Sequence, residues 1–173
     1  MNKGYVQIYT GNGKCKTTAS IGLAVRALSR GLRVCLIQFI KGNEAEGECA
    51  LLKETFDNIK VISTGTQNFI FDAPSKDEFK EAERGLNAAK EAVASNEYDL
   101  VILDEINVAI NLDIIQLDEI VKMIKNKPDT VELVLTGRGA KDELIELADL
   151  VTEMKPIKHY FDKGVKARVG IEK

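Results

Sequence analysis

Apolar residues recur along the chain at two alternating spacings. Short runs read as strands at Val6 to Thr10, Arg33 to Phe39, Ile59 to Ser63, Leu100 to Leu103, Val131 to Leu135 and Leu150 to Met154. Between them, helical spacing predicts helices over Ala19 to Arg30, Cys49 to Phe56, a segment ending near Ser95, Leu117 to Lys125, and Lys141 to Leu147. In the longest, Phe79, Ala82, Leu86, Ala89 and Val93 share one face, and Ser75-Lys76-Asp77-Glu78 supplies a capping box at its start. Arg33 to Phe39 is almost unbroken in apolar character, as a strand buried on both faces of a parallel sheet would be. Gly31 before it suits a helix C-cap. Regular alternation of strand and helix predicts an α/β fold with a mostly parallel central sheet and helices on both faces. Ligands of such sheets gather at the carboxyl ends of the strands. Thr10, Gln38, Thr64, Glu105 and Arg138 sit at or just beyond those ends, so all can face one crevice.

The turn after the first strand carries candidate chemistry. Thr10-Gly11-Asn12-Gly13-Lys14-Cys15-Lys16-Thr17-Thr18 has the strand, glycine-rich loop and helix order of a phosphate-binding P-loop. Backbone N–H groups of such a turn, together with the positive end of the following helix, suit an anion with several oxygens, such as a triphosphate. Lys16 would reach phosphate oxygens and the Thr17 hydroxyl a bound Mg²⁺. Thr10 and Cys15 hold the two positions where the G-x-x-x-x-G-K-[ST] pattern has glycine. The bland alternative is a turn that binds nothing. Leu100-Val101-Ile102-Leu103 ending in Asp104-Glu105 is a second nucleotide-site signature, whose acids reach the magnesium beside the phosphates. Two such signatures in order on one short chain decide for a nucleotide site.

Bulk properties exclude more than they identify. At 173 residues the chain is most simply one domain with a real core, and 45% apolar with 29% charged residues is ordinary for a globular protein. A net charge of −3 supplies no global field for nucleic acid. The segment 155–173 is basic, with Lys155, Lys158, Lys163, Lys166, Arg168 and Lys173, and reads as a solvated tail. No apolar run approaches the roughly 20 residues of a membrane span. The first strand begins almost at once, leaving no room for a signal peptide. Three cysteines without a C-x-x-C pair fit a reduced cytoplasmic setting and no zinc site. Thr64 to Pro74 has no clear period yet holds Phe69, Ile70 and Phe71. Such a loop is either tucked against the core or built to touch an apolar ligand.

Taken together, Tyr9-Thr10-Gly11-Asn12-Gly13-Lys14, Gln38-Phe39-Ile40-Lys41-Gly42, Leu103-Asp104-Glu105-Ile106, Leu135-Thr136-Gly137-Arg138-Gly139 and Ala148 to Met154 resemble the P-loop ATP:corrinoid adenosyltransferases. Pro156-Ile157-Lys158-His159 and Phe161-Asp162-Lys163-Gly164-Val165-Lys166-Ala167 extend the resemblance over essentially the whole chain. It implies a three-layer P-loop NTPase fold of RecA-like type. The implied reaction is attack of a Co(I) corrinoid on the 5′ carbon of ATP with release of triphosphate. By the same resemblance, Gly11, Asn12, Gly13, Lys14, Cys15, Lys16 and Thr18 surround the triphosphate, Thr17 and Glu105 hold Mg²⁺ with Asp104 close by, and Arg138 reaches a terminal phosphate. Catalysis would then rest on Lys16, Arg138 and Glu105.

Phe69 and Phe71 match an aromatic pair that closes the lower face of the corrin, although Gln67-Asn68 lengthens the turn and Phe71 replaces a frequent tryptophan. The implied partners are cobalamin or a cobyrinic-acid-type corrinoid, a flavin-dependent reductant supplying Co(I), and a second copy in a homodimer, with no membrane or nucleic acid. Cys15 departs from the family's glycine; a helical φ there would cost little, a positive φ would strain the loop. Rival readings are a small kinase or ATPase on the same loop, and a regulator that binds nucleotide or corrinoid without turnover.

Overall fold

A computed structural model describes residues 2–40, 47–66 and 74–172. Strands β1 (Val6–Thr10), β2 (Val34–Phe39), β3 (Ile59–Thr64), β4 (Leu100–Asp104), β5 (Glu132–Thr136) and β6 (Leu150–Glu153) form one sheet in the order β3-β2-β4-β5-β1-β6. Every pairing is parallel, which sharpens the mostly parallel expectation. The connecting helices are α1 (Lys16–Leu28), α2 (Glu48–Thr55), α3 (Lys76–Ala94), α4 (Ile106–Asn111), α5 (Leu117–Lys125) and α6 (Asp142–Leu147).

Side chains alternating along the strands feed two separate cores. Val34, Leu36, Ile102 and Val134 pack with Ile21, Ala24, Leu28 and Leu52 of α1 and α2. Cys35, Ile37, Phe39, Leu103 and Leu135 face the other way, onto Ala82, Leu86, Ala89, Ile110, Ile120 and Leu144 of α3 to α6. The result is three layers, as a sheet apolar on both faces requires. Cys35 lies wholly inside, and burial pushes its thiol pKa up to about 12, so it stays an inert thiol. No helix among the described residues is long and apolar enough to cross a membrane.

Two features depart from the pattern-based expectation. Helix α1 begins at Lys16 rather than Ala19, because the chain turns sharply at Cys15 and enters the helix at once. Helix α4 was not expected: Ile106-Asn107-Val108-Ala109-Ile110-Asn111 is apolar, β-branched and short, and reads by composition as more strand. The position of β5 between β1 and β4 matters for the site. It sets the turn after Thr136 between the glycine-rich loop and the acids that end β4.

At the head of α3 the Ser75 hydroxyl accepts from the Glu78 N–H at 3.3 Å, and the Glu78 carboxylate accepts from the Ser75 N–H at 2.6 Å. Ser75→Ala removes one arm of this box. We expect it to lower stability by about 1 kcal/mol, read as a shift in the urea midpoint. An unchanged midpoint would mean that packing alone sets where α3 begins.

Candidate functional site

The glycine-rich loop is shaped from below by the end of β6. The Thr10 carbonyl accepts from the Met154 N–H at 2.8 Å, and the Gly13 N–H donates to the Met154 carbonyl at 2.7 Å. A Cβ on Gly11 would lie 2.5 Å from that carbonyl oxygen, and one on Gly13 2.7 Å from it. Gly11 also has a φ of 94°. These two glycines are therefore required by the passage of β6 whether or not a phosphate approaches. The Gly13 N–H, spent on Met154, does not point into the cradle.

Cys15 has φ 96° and ψ 2°, the left-handed region. Of the two alternatives for this residue, the strained one holds. Among the described residues, five non-glycine residues have positive φ; of these Ile40 and Glu105 follow directly the carboxyl ends of β2 and β4, and Cys15 ends the loop that leads from β1 to α1. Backbone strain gathered at one rim is a mark of a functional crevice rather than of general irregularity.

Lys16 is buried, and its ammonium donates to the carbonyls of Gly11 and Gly13, each at 2.8 Å. Burial holds its pKa below the ordinary lysine value; Glu105 and Asp104 oppose this, while the Arg138 charge adds to it. Lys16, Glu105, Asp104 and Arg138 thus share one electrostatic neighbourhood. At its floor the fully buried Asp104 Oδ1 accepts from the Thr17 hydroxyl at 2.9 Å and from the Thr136 hydroxyl at 2.7 Å. The Glu105 N–H donates to that same Thr136 hydroxyl at 3.0 Å. Gln38 and Thr64, also read as crevice residues, are buried and tie strand ends together: Ser63 donates to the Gln38 amide oxygen, and the Thr64 hydroxyl to the Gln38 carbonyl, both at 3.1 Å. Asn12, Thr18 and Arg138 are exposed at the mouth.

Lys14 is placed elsewhere than expected. Its ammonium reaches away to the C-terminal segment, donating to the Tyr160 hydroxyl at 3.1 Å, the Ile171 carbonyl at 2.9 Å and Glu172 Oε1 at 2.9 Å. Arg168 adds a second cation to Glu172 at 3.1 Å, and the Tyr160 hydroxyl a further hydrogen bond. Arg168, Tyr160 and Lys14 together hold the Glu172 carboxyl far below the usual carboxylate range. The basic tail is therefore docked in part on the loop through one acid, not uniformly solvated. Phe69 and Phe71 lie outside the described residues.

A family model described as ATP:corrinoid adenosyltransferase BtuR/CobO/CobP matches residues 2–172. The chain belongs to that family. It is 39% identical over 171 residues to a corrinoid adenosyltransferase of Escherichia coli (strain K12), covering 98% of this chain and 86% of that protein. A corrinoid adenosyltransferase of Sinorhizobium sp is 40% identical over 172 residues, covering 98% of this chain and 80% of that protein. The corrinoid adenosyltransferase CobA of Salmonella typhimurium (strain LT2) is 36% identical over 171 residues, with 98% and 86% covered.

Within this family frame Cys15 is a side chain where the resemblance implies glycine, at a φ that favours glycine. An L-residue in that region costs roughly 1–2 kcal/mol, offset in part by the ~0.5–1 kcal/mol of extra chain entropy that glycine loses on folding. Cys15→Gly should therefore raise stability by about 0.5–1 kcal/mol in a denaturant titration. It should also remove any loss of activity on mild oxidation, because Cys15 is exposed whereas Cys35 and Cys49 are buried. A lower midpoint in the glycine variant would show that the loop is not strained at this residue.

Proposed function

We propose that the protein transfers the 5′-deoxyadenosyl group of ATP to the cobalt of a Co(I) corrinoid and releases triphosphate. The Co(I) lone pair attacks the 5′ carbon and forms the cobalt–carbon bond. The bond from that carbon to the triphosphate oxygen breaks, its electron pair leaves on the triphosphate, and cobalt becomes formally Co(III). So strong a nucleophile needs no serine, cysteine or histidine to act for it. The one histidine, His159, accepts from the Phe161 N–H at 3.1 Å and caps a turn. The protein's work is to hold the carbon over cobalt and to stabilise charge on the leaving group.

The observation that carries the reading is the convergence of Lys16, Thr17, Asp104 and the Arg138 turn at the head of α1. Lys16 now bonds carbonyls of its own loop, contacts that phosphate oxygens would replace with stronger charge-assisted ones. The first-turn N–H groups of α1 add partial positive charge. Gly11, Asn12, Gly13 and Cys15 shape the cradle, Thr18 adds a hydroxyl at its mouth, and Arg138 serves the far end of the triphosphate. Lys14 contributes its place in the loop while its ammonium stays with Glu172.

The donor set fits Mg²⁺: the Thr17 hydroxyl with the carboxylates of Glu105 and Asp104 is all hard oxygen, and phosphate oxygens and water would complete it. When bound, the ion would neutralise charge on the triphosphate. We extend the reading, on the family resemblance, to cobalamin or a cobyrinic-acid-type corrinoid as acceptor, a flavin-dependent reductant as the source of Co(I), and a homodimer. Phe69 and Phe71 are assigned to the lower corrin face on the same ground.

Anaerobic incubation with ATP, magnesium and chemically reduced cobalamin, followed by the visible spectrum of the corrinoid, should give the adenosylated product with one triphosphate per turnover. ADP or orthophosphate as the primary product would falsify the reading in favour of a kinase or ATPase. Lys16→Ala should lower kcat/KM by roughly 10²–10³-fold, the usual scale for losing one preorganised donor to a developing oxyanion.

Phe71→Ala should slow conversion when Co(II) corrinoid and a reductant are supplied, yet leave turnover of preformed Co(I) nearly intact. Equal losses with both substrates would remove the aromatic wall from any redox role.

A further inference from the structure

The turn that carries Arg138 is gripped from two sides. On the β1 side, the Gly137 N–H donates to the Tyr9 carbonyl at 3.1 Å and the Ala140 N–H to the Thr10 hydroxyl at 3.1 Å. On the α4 side, three successive carbonyls are taken by two side-chain amides. Asn107 Nδ2 donates to the Gly137 carbonyl at 3.3 Å. Asn111 Nδ2 donates to the carbonyls of Arg138 at 3.1 Å and Gly139 at 2.8 Å. The two asparagines are four residues apart on one helix face.

The fit leaves no slack. Gly137 and Gly139 have φ of 128° and 65°, and added Cβ atoms would lie 3.0 Å from Asn107 Cβ and 2.6 Å from Asn111 Nδ2. Asn107 is 1% exposed, and its Oδ1 has no hydrogen-bond partner among the described residues. A buried amide oxygen left unpaired is destabilising, because its lost hydration is not replaced. An apolar residue of similar volume would avoid that cost, so the amide is explained by what its donor half holds. Asn111 is exposed, so its two bonds add little to global stability while still fixing the carbonyls on either side of the Gly139 Cα, the first of them Arg138's own.

We propose that Asn107 and Asn111 are positioning residues for adenosyl transfer, clamping the 136–140 turn so that Arg138 is aimed at the triphosphate. Helix α4 follows directly from Asp104 and Glu105, so the clamp ties the aim of Arg138 to the acids of the magnesium site. The inference rests on the assignment of Arg138 to the triphosphate given above.

The test is a double-mutant cycle with Asn111→Ala and Arg138→Ala, measured as kcat and KM for ATP with preformed Co(I) cobalamin, alongside thermal midpoints. Asn111→Ala should lower kcat/KM about ten-fold in the native background, a fraction of what a misplaced contact can cost, and leave the thermal midpoint nearly unchanged. In the Arg138→Ala background it should cause no further loss. Equal fold losses in both backgrounds overturn the clamp and leave Arg138 in place. Full activity of Arg138→Ala alone overturns the Arg138 assignment and the clamp with it. Should Asn111→Ala lower the midpoint, Asn111→Ser keeps a donor of shorter reach, and the same cycle with it decides.

Discussion

A single buried carboxylate oxygen joins the parts of this molecule. Asp104 Oδ1, at the end of β4, accepts one hydroxyl from Thr17 on α1 and one from Thr136 on β5. A buried carboxylate is costly unless its oxygens are hydrogen-bonded. The sheet order makes the bonds available, because β5 lies beside β4 and leads to β1 and hence to α1. Three elements far apart in sequence are thereby held in one relative position at the mouth of the crevice. That position sets where Lys16, Glu105 and the Arg138 turn stand, so packing of the sheet and geometry of the site are one constraint.

The loop above it is held under tension by its own neighbours. The Met154 N–H donates to the Thr10 carbonyl and its carbonyl accepts from the Gly13 N–H, which leaves no room for a Cβ at Gly11 or Gly13. Cys15 then has to turn through the left-handed region to start α1 at Lys16. The strain there, at Ile40 and at Glu105 is small beside the two cores that flank the sheet, which keep the strand ends fixed. A scaffold rigid enough to impose unfavourable backbone angles is also rigid enough to present charges at fixed points, which is what electrostatic stabilisation of a leaving group demands.

Much of this was legible in the residues. The alternation of strand and helix, the buried β2 and the capping box at Ser75 follow from local pattern, and the structure carries them with shifts of a few residues; the stretches read as nucleotide signatures lie at the ends of β1 and β4. What was not legible depends on distant neighbours. The partner of Lys14 is Glu172, and no local rule links two residues separated by nearly the whole chain. The need for glycine at 11 and 13 comes from the close passage of the Met154 backbone at the end of β6. Helix α4 was missed because its β-branched sequence has strand character, whereas in the fold it packs as a helix against β5 and β2. Whether Cys15 strains the loop turned on one backbone angle that its side chain does not announce.

The missed helix is also the reason the site is more than a phosphate loop with an acid. A P-loop and a buried aspartate alone serve phosphoryl transfer as well as adenosyl transfer, since both require a cradle and a metal site. The difference lies in which atom is left exposed to the attacking group. Transfer at the 5′ carbon develops charge on the α-phosphate oxygen that departs, and on the reading proposed above the whole triphosphate, including its far end, is held as the leaving group. An arginine on a mobile surface turn loses backbone as well as side-chain entropy on every binding event. An arginine whose flanking carbonyls are fixed by α4, and whose turn is fixed to β1, has less freedom left to lose. On the reading proposed above, the short helix after the acids makes the position of the Arg138 turn relative to the glycine-rich loop a property of the fold, which would suit the site to a departing triphosphate.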